Sequence, residues 1–363
     1  MGFCSPCGYS HDGYSQKKIK SLGINVGNYT DRQANIILKN FKNMVLDRQF
    51  CSLSNDNKIY FVLTTVGSFF SDTEISFKRK LNILKQVHDL KDKDDIDLCF
   101  ITEVFAEDII SYERNGKLEM LNDVLTSLDS TIVLGFESAN DFVRNNLYLK
   151  GLTIEKFENA IEIIKERNIH PAAFAFVGTH TLTQKEIVDD FKNTVKYLYN
   201  LSVIPVIMVA NLKIGTLDHL LFALSTQKVV EPRTVDTVLN ILKDNQKCLA
   251  PFPWLIADPV GGPPEPLIHA FNNKKMCTCN DCSYNILAAL RYVRKTYDWG
   301  KYEMILSPEV RKCTCNAKYE HEIDIEENNV LELEERLKRN ISIAEENLNN
   351  YFNFLTKYHG GGL

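Results

Sequence analysis

Cysteine is the residue whose placement in this chain most clearly indicates chemistry. The chain has 363 residues and ten cysteines, and seven of the cysteines form three tight groups. The groups are Cys4 and Cys7; Cys277, Cys279 and Cys282; and Cys313 and Cys315. The remaining three are scattered, and each is most simply a small buried hydrophobe. In an intracellular chain, such groups are better explained as metal ligands or reactive thiols than as disulfides.

The five C-terminal cysteines predict a metal site. They form C-x-C-x-x-C and, about thirty residues later, C-x-C, which supplies five thiolates where four ligands suffice. Thiolate-rich sites suit zinc or an iron–sulfur cluster, and the spacing does not separate the two. The surrounding sequence is poor in signals of regular structure, so a metal is expected to contribute much of that segment's folding free energy. The alternative is a set of reduced thiols in a loose tail.

The N-terminal pair, Cys4 and Cys7, forms a C-x-x-C motif with two interpretations. Such a loop can hold two coordination sites of a metal, or it can form a redox dithiol. The redox function needs the motif between a strand and a helix, and the sequence predicts no strand before it. A cluster with an open coordination site needs a third cysteine nearby.

The elements that would position these residues alternate between strands and helices. Apolar runs predict strands at 58–65, 96–102, 131–136, 171–177 and 203–212. Helical periodicity predicts helices at 31–47, 76–90, 118–128, 153–167 and 183–198. This alternation indicates an α/β fold with a parallel sheet, either an open or partial barrel or a doubly wound sheet. In both, the chemistry is expected at the carboxyl ends of the strands.

The regular alternation ends near residue 230, which divides the chain into three predicted parts. Residues 1–230 form the barrel, 231–328 a loop-rich, cysteine-rich metal-binding extension, and 329–363 a terminal helix. Within the extension, 249–266 is rich in Pro and Gly, and 284–297 is predicted to be helical. The terminal helix is amphipathic and is expected to pack on the barrel or to pair with a partner.

Composition limits the class of protein. No apolar run approaches the length of a membrane span, and the N-terminus lacks the features of a secretion signal, so we expect a cytoplasmic protein. The net charge of −5 neither requires nor excludes a nucleic-acid partner. Basic and aromatic residues near the C-terminal cysteines can bind RNA, or they can form the solvated face of a helix. They are Arg291, Arg294, Lys295, Lys312, Tyr292, Tyr297 and Trp299.

Several motifs occur in an order that resembles a known superfamily. They are FCSPCGY at 3–9; TVGSFF at 65–70, with Asp72 and Glu74 behind it; and GFESAND at 135–141, with Arg144 and then KGLT at 150–153. Together they resemble the radical S-adenosylmethionine (SAM) superfamily, in the branch that groups with the Elongator catalytic subunit. More narrowly, they resemble the archaeosine-synthase radical SAM subunits and their bacterial relatives. The resemblance covers roughly residues 1–300, and 135–153 is its most specific part.

The resemblance implies a fold, two cofactors and a redox partner. The implied fold is a partial (β/α)6 barrel, followed here by the cysteine-rich extension and the terminal amphipathic helix. In the superfamily, cysteines spaced C-x-x-x-C-x-x-C bind a [4Fe–4S] cluster, and SAM chelates the fourth iron. Cys4 and Cys7 match the second and third ligands, and the first would fall before Met1, so we expect an N-terminally trimmed chain. The implied reductant is a flavodoxin or ferredoxin.

The resemblance also implies which loops hold SAM. The residues are Gly67, Ser68, Glu103, Glu137, Ser138 and Gly178. Glycine lets the backbone approach a ligand, and the Ser68 hydroxyl can bond the amino-acid moiety. Glu103 would accept hydrogen bonds from the SAM ammonium or the substrate, while the 137–138 pair would meet the ribose and Gly178 would lie near the adenine. Asn140 and Asp141 can instead cap the following helix.

We therefore expect an enzyme that cleaves SAM reductively and abstracts hydrogen from a substrate, with its catalytic residues unidentified. If the resemblance extends to the substrate, the target is a modified tRNA base with a lysine adduct, which is broken by lyase chemistry. A small metabolite or a peptide is the alternative substrate. A function of another class is a non-catalytic zinc-binding or scaffold protein on a degenerate barrel. A thiol redox protein that uses Cys4 and Cys7 is a third interpretation.

Overall fold

The computed structural model describes most of the chain between residues 59 and 359. The described residues are 36, 39, 59–63, 67–94, 97–179, 181–210, 217–224, 230–245, 277–296, 299–306, 308–329 and 331–359. Cys4, Cys7 and the 249–266 stretch lie outside them, and so does the helix predicted at 31–47, apart from residues 36 and 39. The N-terminal cluster motif therefore stays a prediction.

A five-stranded parallel sheet forms the centre of the fold. Its strands are β1 (Ile59–Val62), β2 (Leu98–Val104), β3 (Thr131–Glu137), β4 (His170–Val177) and β5 (Ile204–Val209). Neighbouring strands pair in sequence order, whereas a doubly wound sheet reverses its order at a switch point. The sheet curls into a half-barrel, which confirms the predicted α/β partial barrel. The described residues contain five strands, where the resemblance implied six βα units.

Both faces of the sheet are apolar, as expected of parallel strands that are covered on both sides. On the face toward the helices, residues such as Phe100, Leu134 and Ile207 join the main core. On the opposite face, Cys99 belongs to a second apolar layer with Val133 and Phe174. Cys99 is buried there, which confirms its interpretation as a small core residue.

Helices follow the strands and form the outer layer of the half-barrel. They are α1 (Phe77–Asp94), α2 (Ala106–Arg114), α3 (Lys117–Ser127), α4 (Ile154–Glu166) and α5 (Gln184–Asn200). A short π-helical turn, Val143–Leu147, precedes α4. Thr183 begins α5 with a capping box, because its side chain accepts from Glu186 N–H while the Glu186 carboxylate accepts from Thr183 N–H.

The segment after the sheet is helical in its described residues. Its helices are α6 (Leu217–Ala223), α7 (Pro232–Asn245), α8 (Asn280–Thr296), α9 (Trp299–Ile305), α10 (Pro308–Lys312) and α11 (Thr314–Asn329). The expectation of a loop-rich extension is therefore wrong for these residues. Sequence periodicity missed α11 because its apolar residues form no stripe. Tyr319 is nevertheless buried, and its hydroxyl lies 2.8 Å from Thr234 Oγ1 of α7.

The terminal helix, α12 (Leu333–His359), packs on the barrel, which confirms one of the two predicted alternatives. Leu333 and Leu337 lie against an apolar cluster that includes Phe176 of β4. Arg336 Nη1 donates to the Thr181 carbonyl over 2.9 Å and also pairs with Glu186, so the helix is held beside the loop that follows β4. Among the described helices, none has the length and apolar character needed to cross a membrane.

Candidate functional site

Four of the five C-terminal cysteines converge on one point. The sulfur atoms of Cys279, Cys282, Cys313 and Cys315 all lie within 4.8 Å of one another. Cys279 directly precedes α8 and Cys282 lies in its first turn, while Cys313 and Cys315 flank the start of α11 in the same way. Thiolates beside two helix N-termini are stabilised by the backbone dipoles. Cys277 is outside the group of four, and its backbone N–H donates to Glu231 Oε1 over 2.9 Å.

The spacing of the sulfur atoms fits one tetrahedral metal ion. Four thiolates about 2.3 Å from a shared zinc ion have their sulfur atoms about 3.8 Å apart. The Cys279 and Cys313 sulfur atoms are 3.8 Å apart. A [4Fe–4S] cluster carries each thiolate on a different iron ion and so needs its sulfur atoms more widely separated. The donor set and its geometry therefore fit a mononuclear thiolate site.

A buried arginine contacts this group of sulfur atoms. Arg233 Nη2 donates to Cys282 Sγ over 3.4 Å and to Cys315 Sγ over 3.3 Å. The same nitrogen donates to the Val310 carbonyl over 2.6 Å. Burial favours the neutral thiol of Cys315, but the hydrogen bonds from Arg233 and from the neighbouring cysteine residues together outweigh it and lower the pKa to about 7. Burial and the neighbouring thiols raise the pKa of Cys282.

A carboxylate fixes the loop that enters the cysteine group. Glu231 is buried, and its oxygens accept from the backbone N–H groups of Cys277 and Thr278 and from the Thr278 hydroxyl. Its own backbone N–H donates over 2.9 Å to Gln184 Oε1, which also accepts from the Thr234 hydroxyl over 2.6 Å. Gln184 is the first residue of α5. The start of α7 therefore joins the cysteine group to the barrel.

The second candidate site is the carboxyl edge of the sheet, where a buried ion pair follows β3. Glu137 Oε1 lies 2.7 Å from Lys150 Nζ, and both side chains are largely buried. Glu137 has a φ of 72°, which is unusual for a residue with a side chain, and the β3–β4 register shifts just before it. Its other oxygen, Oε2, is buried and has no hydrogen-bond partner among the residues that the structure describes. An unsatisfied buried carboxylate oxygen is a place where a ligand cation can bind.

Gly135 makes room for this ion pair. A Cβ atom added at residue 135 would lie 2.7 Å from Lys150 Nζ and 3.3 Å from Glu137 Oε1. Any larger residue would therefore displace the lysine. The contact between Lys150 and Glu137 is one that the sequence did not predict, although both residues were present in the quoted motif.

The polar residues of the loop after β1 bond to one another and to the end of β2. Ser68 is fully buried, its hydroxyl accepts from Phe105 N–H over 3.1 Å, and its backbone N–H donates to Glu74 over 3.3 Å. Glu74 Oε1 also fills the space where Gly67 would carry a Cβ atom. Gly67 and Ser68 thus lie at the predicted edge, but the Ser68 hydroxyl is used within the fold. Its role toward SAM stays a prediction.

A buried cation holds the next part of that loop. Lys80 is fully buried and donates to Asp72 Oδ1 over 2.8 Å and to the Tyr112 hydroxyl over 2.6 Å. Burial raises the pKa of Asp72, but hydrogen bonds from Lys117, Lys80 and Tyr112 outweigh it and lower the pKa to about 2. The structure therefore explains the Asp72 and Glu74 of the quoted motif as residues that shape the loop.

The loop after β3 uses most of its polar groups internally. The Ser138 hydroxyl donates to Asp190 Oδ1 over 2.6 Å and accepts from Asn140 N–H over 3.0 Å. Asn140 Oδ1 accepts from the backbone N–H groups of Phe142 and Val143, where the π-helical turn begins, which confirms the capping alternative for Asn140. Burial raises the pKa of Asp190 to about 6. The Ser138 hydroxyl proton already has an acceptor in Asp190. The contact of Ser138 with ribose stays a prediction.

Arg144 closes the same loop from within. It is fully buried, with Nε donating to the Leu152 carbonyl over 2.7 Å and Nη1 to the Ser138 carbonyl over 3.0 Å. It also pairs with Asp141. Much of the 135–153 signature is therefore needed to build the loop, and the Glu137–Lys150 pair is the part that faces the edge.

The two other predicted residues lie at the same edge. Glu103 is the second-last residue of β2 and is half-buried, on the same face as Ile101. Gly178 directly follows β4 with a φ of 97°, and Val230 occupies the space that a side chain would need there. The structure thus brings together the ends of the strands, as predicted, while the contacts of these residues with a cofactor stay predictions.

Comparison with known proteins gives distant similarity. No model of a known protein family matches the chain. An uncharacterized protein of Methanocaldococcus jannaschii is 24% identical over 340 residues, which cover 93% of this chain and 81% of that protein. Among solved structures, the archaeal Elp3 of Methanocaldococcus infernus, with an N-terminal deletion of 1–46, is similar with a TM-score of 0.40 and 12% identity. That similarity covers 69% of this chain and 51% of the Elp3 chain, so this chain spans about half the length of that structure.

Proposed function

We propose that this protein is a radical SAM enzyme whose cofactor binds at the carboxyl edge of the half-barrel. The observation that carries the proposal is the Glu137–Lys150 pair, with its buried carboxylate oxygen that has no partner among the described residues. When bound, an iron–sulfur cluster would supply one electron to the sulfonium of SAM, so that methionine and a hydrogen-abstracting 5′-deoxyadenosyl radical result. Cys4 and Cys7 are proposed as two of the cluster ligands.

The charges of the pair are complementary to those of an amino acid. An α-amino acid carries an ammonium group and a carboxylate on one carbon, and Glu137 and Lys150 offer one carboxylate and one ammonium in contact. Glu137 Oε2 can accept from the ligand's ammonium, and Lys150 can donate to its carboxylate. This favours a contact of Glu137 with the methionine moiety rather than with the ribose. Burial of both side chains reduces solvent screening and strengthens the interaction.

The four-cysteine group is proposed as a structural zinc site. Its sulfur spacing suits one tetrahedral ion, and two of the ligands, Cys282 and Cys315, are buried. A flavodoxin or ferredoxin is the proposed electron donor. The proposed substrate is a modified tRNA base that is broken by lyase chemistry, with a small metabolite or a peptide as the alternative.

Anaerobic reconstitution of the whole natural protein with iron and sulfide tests the proposal. With a reductant present, we expect SAM-dependent release of 5′-deoxyadenosine and methionine. Glu137→Gln and Lys150→Met should weaken SAM binding about tenfold or more, because each removes one charge-assisted contact. Lys156→Met, at an exposed lysine of α4, is the matched control and should bind SAM normally.

A non-catalytic zinc-binding scaffold is the second candidate. It is favoured by one observation, namely that a complete set of four thiolate ligands lies within the described residues. The same experiment separates the two functions. A reconstituted protein that binds one zinc ion but neither binds SAM nor releases 5′-deoxyadenosine would be the scaffold.

A further inference from the structure

We propose that Arg233 is an outer-sphere residue of the four-cysteine centre, which neutralises part of its charge and protects its thiolates. The proposal is independent of the radical chemistry and rests only on the centre holding a divalent metal ion. It assigns a role to a residue of α7 that lies far from the cysteines in the sequence.

The charge of the centre requires a nearby cation. A divalent ion with four thiolates has a net charge of about −2, and burial of net charge is costly unless it is paired. Two of the ligand residues are almost completely buried, with exposed fractions of 3% for Cys282 and 4% for Cys315. Arg233 is 4% exposed and brings one positive charge into hydrogen-bond contact with both sulfur atoms. It therefore neutralises about half of the excess negative charge.

The contacts of Arg233 join the two halves of the ligand set. Cys282 belongs to the C-x-x-C pair at the start of α8, whereas Cys315 belongs to the C-x-C pair at the start of α11. Arg233, on α7, bonds one sulfur atom from each pair and also the Val310 carbonyl of α10. One guanidinium group thus fixes the relative positions of the two ligand pairs.

The orientation of Arg233 favours the sulfur atoms at the expense of another hydrogen bond. Its Nε is buried and has no hydrogen-bond partner among the described residues. A buried donor without a partner destabilises the fold, so the position of this side chain needs an explanation. Contact with two thiolates explains this position, because charge-assisted hydrogen bonds are stronger than neutral ones and can offset the hydrogen bond that Nε lacks.

Hydrogen bonds to a thiolate make its lone pairs less available. The sulfur becomes a weaker base and a weaker nucleophile, so both protons and electrophiles attack it more slowly. Outer-sphere partners of this kind typically change metal affinity by about 10-fold to 100-fold. Arg233 is accordingly expected to slow both the loss of the metal ion and the modification of its ligands.

Three variants of the whole protein test this role. Arg233→Met removes the charge and the donors, and Arg233→Lys keeps the charge but cannot reproduce the planar donor geometry. Arg336→Met is the control, because Arg336 also docks a helix through its Nη atoms and also has a buried Nε without a hydrogen-bond partner among the described residues. All proteins are loaded with zinc, and its release to a chromogenic chelator is followed after a thiol-alkylating reagent is added.

We expect zinc release to be about tenfold faster or more in Arg233→Met and intermediate in Arg233→Lys, with Arg336→Met like the wild type. Cobalt substitution gives a second measurement that a merely structural role would not change. Loss of the hydrogen bonds should shift the sulfur-to-cobalt charge-transfer band to longer wavelength, because the sulfur lone pairs rise in energy. If Arg233→Met does not fold, the lysine variant still has to show the faster release and the shifted band.

Two results would overturn the proposal in distinguishable ways. Equal release rates and equal spectra in all four proteins would exclude the role of Arg233 while leaving the metal centre intact. A wild-type protein that binds neither zinc nor cobalt would exclude the metal centre as well. Neither result depends on whether SAM is cleaved, which is measured separately by the release of 5′-deoxyadenosine.

Discussion

The four-cysteine centre and the carboxyl edge of the sheet use their polar residues in opposite ways. In the centre, side chains from α7, α8 and α11 converge on one point, and even a buried arginine is directed toward it. At the edge, most of the conspicuous polar groups bond to other parts of the fold, as Ser68 does to Phe105 after β2 and Ser138 to Asp190 of α5. One buried carboxylate oxygen, Glu137 Oε2, has no hydrogen-bond partner in the described part of the chain. A sequence motif can therefore be conspicuous because its residues build a loop. A candidate ligand-binding atom is better identified as a buried polar atom that has no hydrogen-bond partner among the described residues.

Metal removal should produce the largest effect in the molecule, and it should be confined to the centre. We expect removal of the zinc ion by a chelator, or the substitution Cys282→Ser, to lower the free energy of unfolding of the centre by several kcal/mol. The reason is that a bound zinc ion contributes of the order of 10 kcal/mol to the folding of small zinc sites. Hydrogen exchange should then accelerate in α8 and α11 while β3 and β4 stay protected. Cys277→Ser is the control, since that sulfur is outside the group of four, and it should keep both the zinc and the protection. Uniform loss of protection across the sheet would contradict the separation of the two regions.

Removal of Arg144 tests whether the 135–153 motif is mainly structural. Arg144→Met leaves the carbonyls of Leu152 and Ser138 without their buried donor, so we expect a loss of about 3–5 kcal/mol in the free energy of unfolding. Denaturant titration gives the value. Arg167→Met, which breaks ion pairs with Glu113 and Glu119 nearer the surface, should cost less than about 1 kcal/mol. Equal losses for the two variants would refute the structural role.

Gly135→Ala separates binding from stability at the edge. The added methyl group would displace Lys150 Nζ, which is the mobile end of a long side chain, so the free energy of unfolding should change by less than about 1 kcal/mol. We expect SAM affinity to fall about tenfold, equivalent to about 1.4 kcal/mol, because the charge pair is disturbed. Calorimetric titration with SAM measures it. Unchanged affinity would show that the pair does not contact the ligand.

Asp190 should give the smallest effect, visible as a dependence on pH. Burial raises its pKa from 3.8 to about 6, so the native state holds a proton that the unfolded state loses above pH 4. Its favourable contribution is complete below about pH 4 and is lost as the pH rises through 6. Relative to the wild type, Asp190→Asn should therefore gain about 1 kcal/mol of stability between pH 4 and pH 7, since the amide can still accept from Ser138. Thermal unfolding of both proteins across this range measures it, with the exposed Asp189→Asn expected to show no such trend.

The sequence predicted the half-barrel and the cysteine centre for different physical reasons. Strands such as β3 and β4 are apolar on both faces, so their period and length identify them without tertiary information. Tight cysteine spacing likewise indicates a metal site from local sequence. Which four of the five cysteines converge depends on how α8 and α11 pack, and α11 lacks a continuous apolar stripe that would have revealed it.

The contacts missed by the sequence analysis all join residues that are distant in the chain or separated by an irregular turn. Arg233 reaches Cys315 across 82 positions, and its charge is unremarkable in the sequence of α7. Lys150 meets Glu137 because Arg144 folds the intervening loop back on itself. Such pairings depend on loop closure, which neither periodicity nor composition records. The preference for zinc over an iron–sulfur cluster likewise rests on distances between sulfur atoms, which the sequence does not give.

The first turn of α7 has a practical consequence for dividing this protein. Glu231 and Arg233 serve the cysteine loop, while Thr234 and Glu231 also bond to Gln184 of the barrel. If the barrel is expressed alone and ends before Cys277, the Glu231 carboxylate loses the groups that donate to it. The Arg233 guanidinium likewise loses the sulfur atoms and the carbonyl that accept from it. A truncation before residue 231 would instead remove Glu231 and Thr234, the two residues that donate to Gln184 Oε1. Recombinant fragments of either kind should aggregate, and the two parts are best produced together.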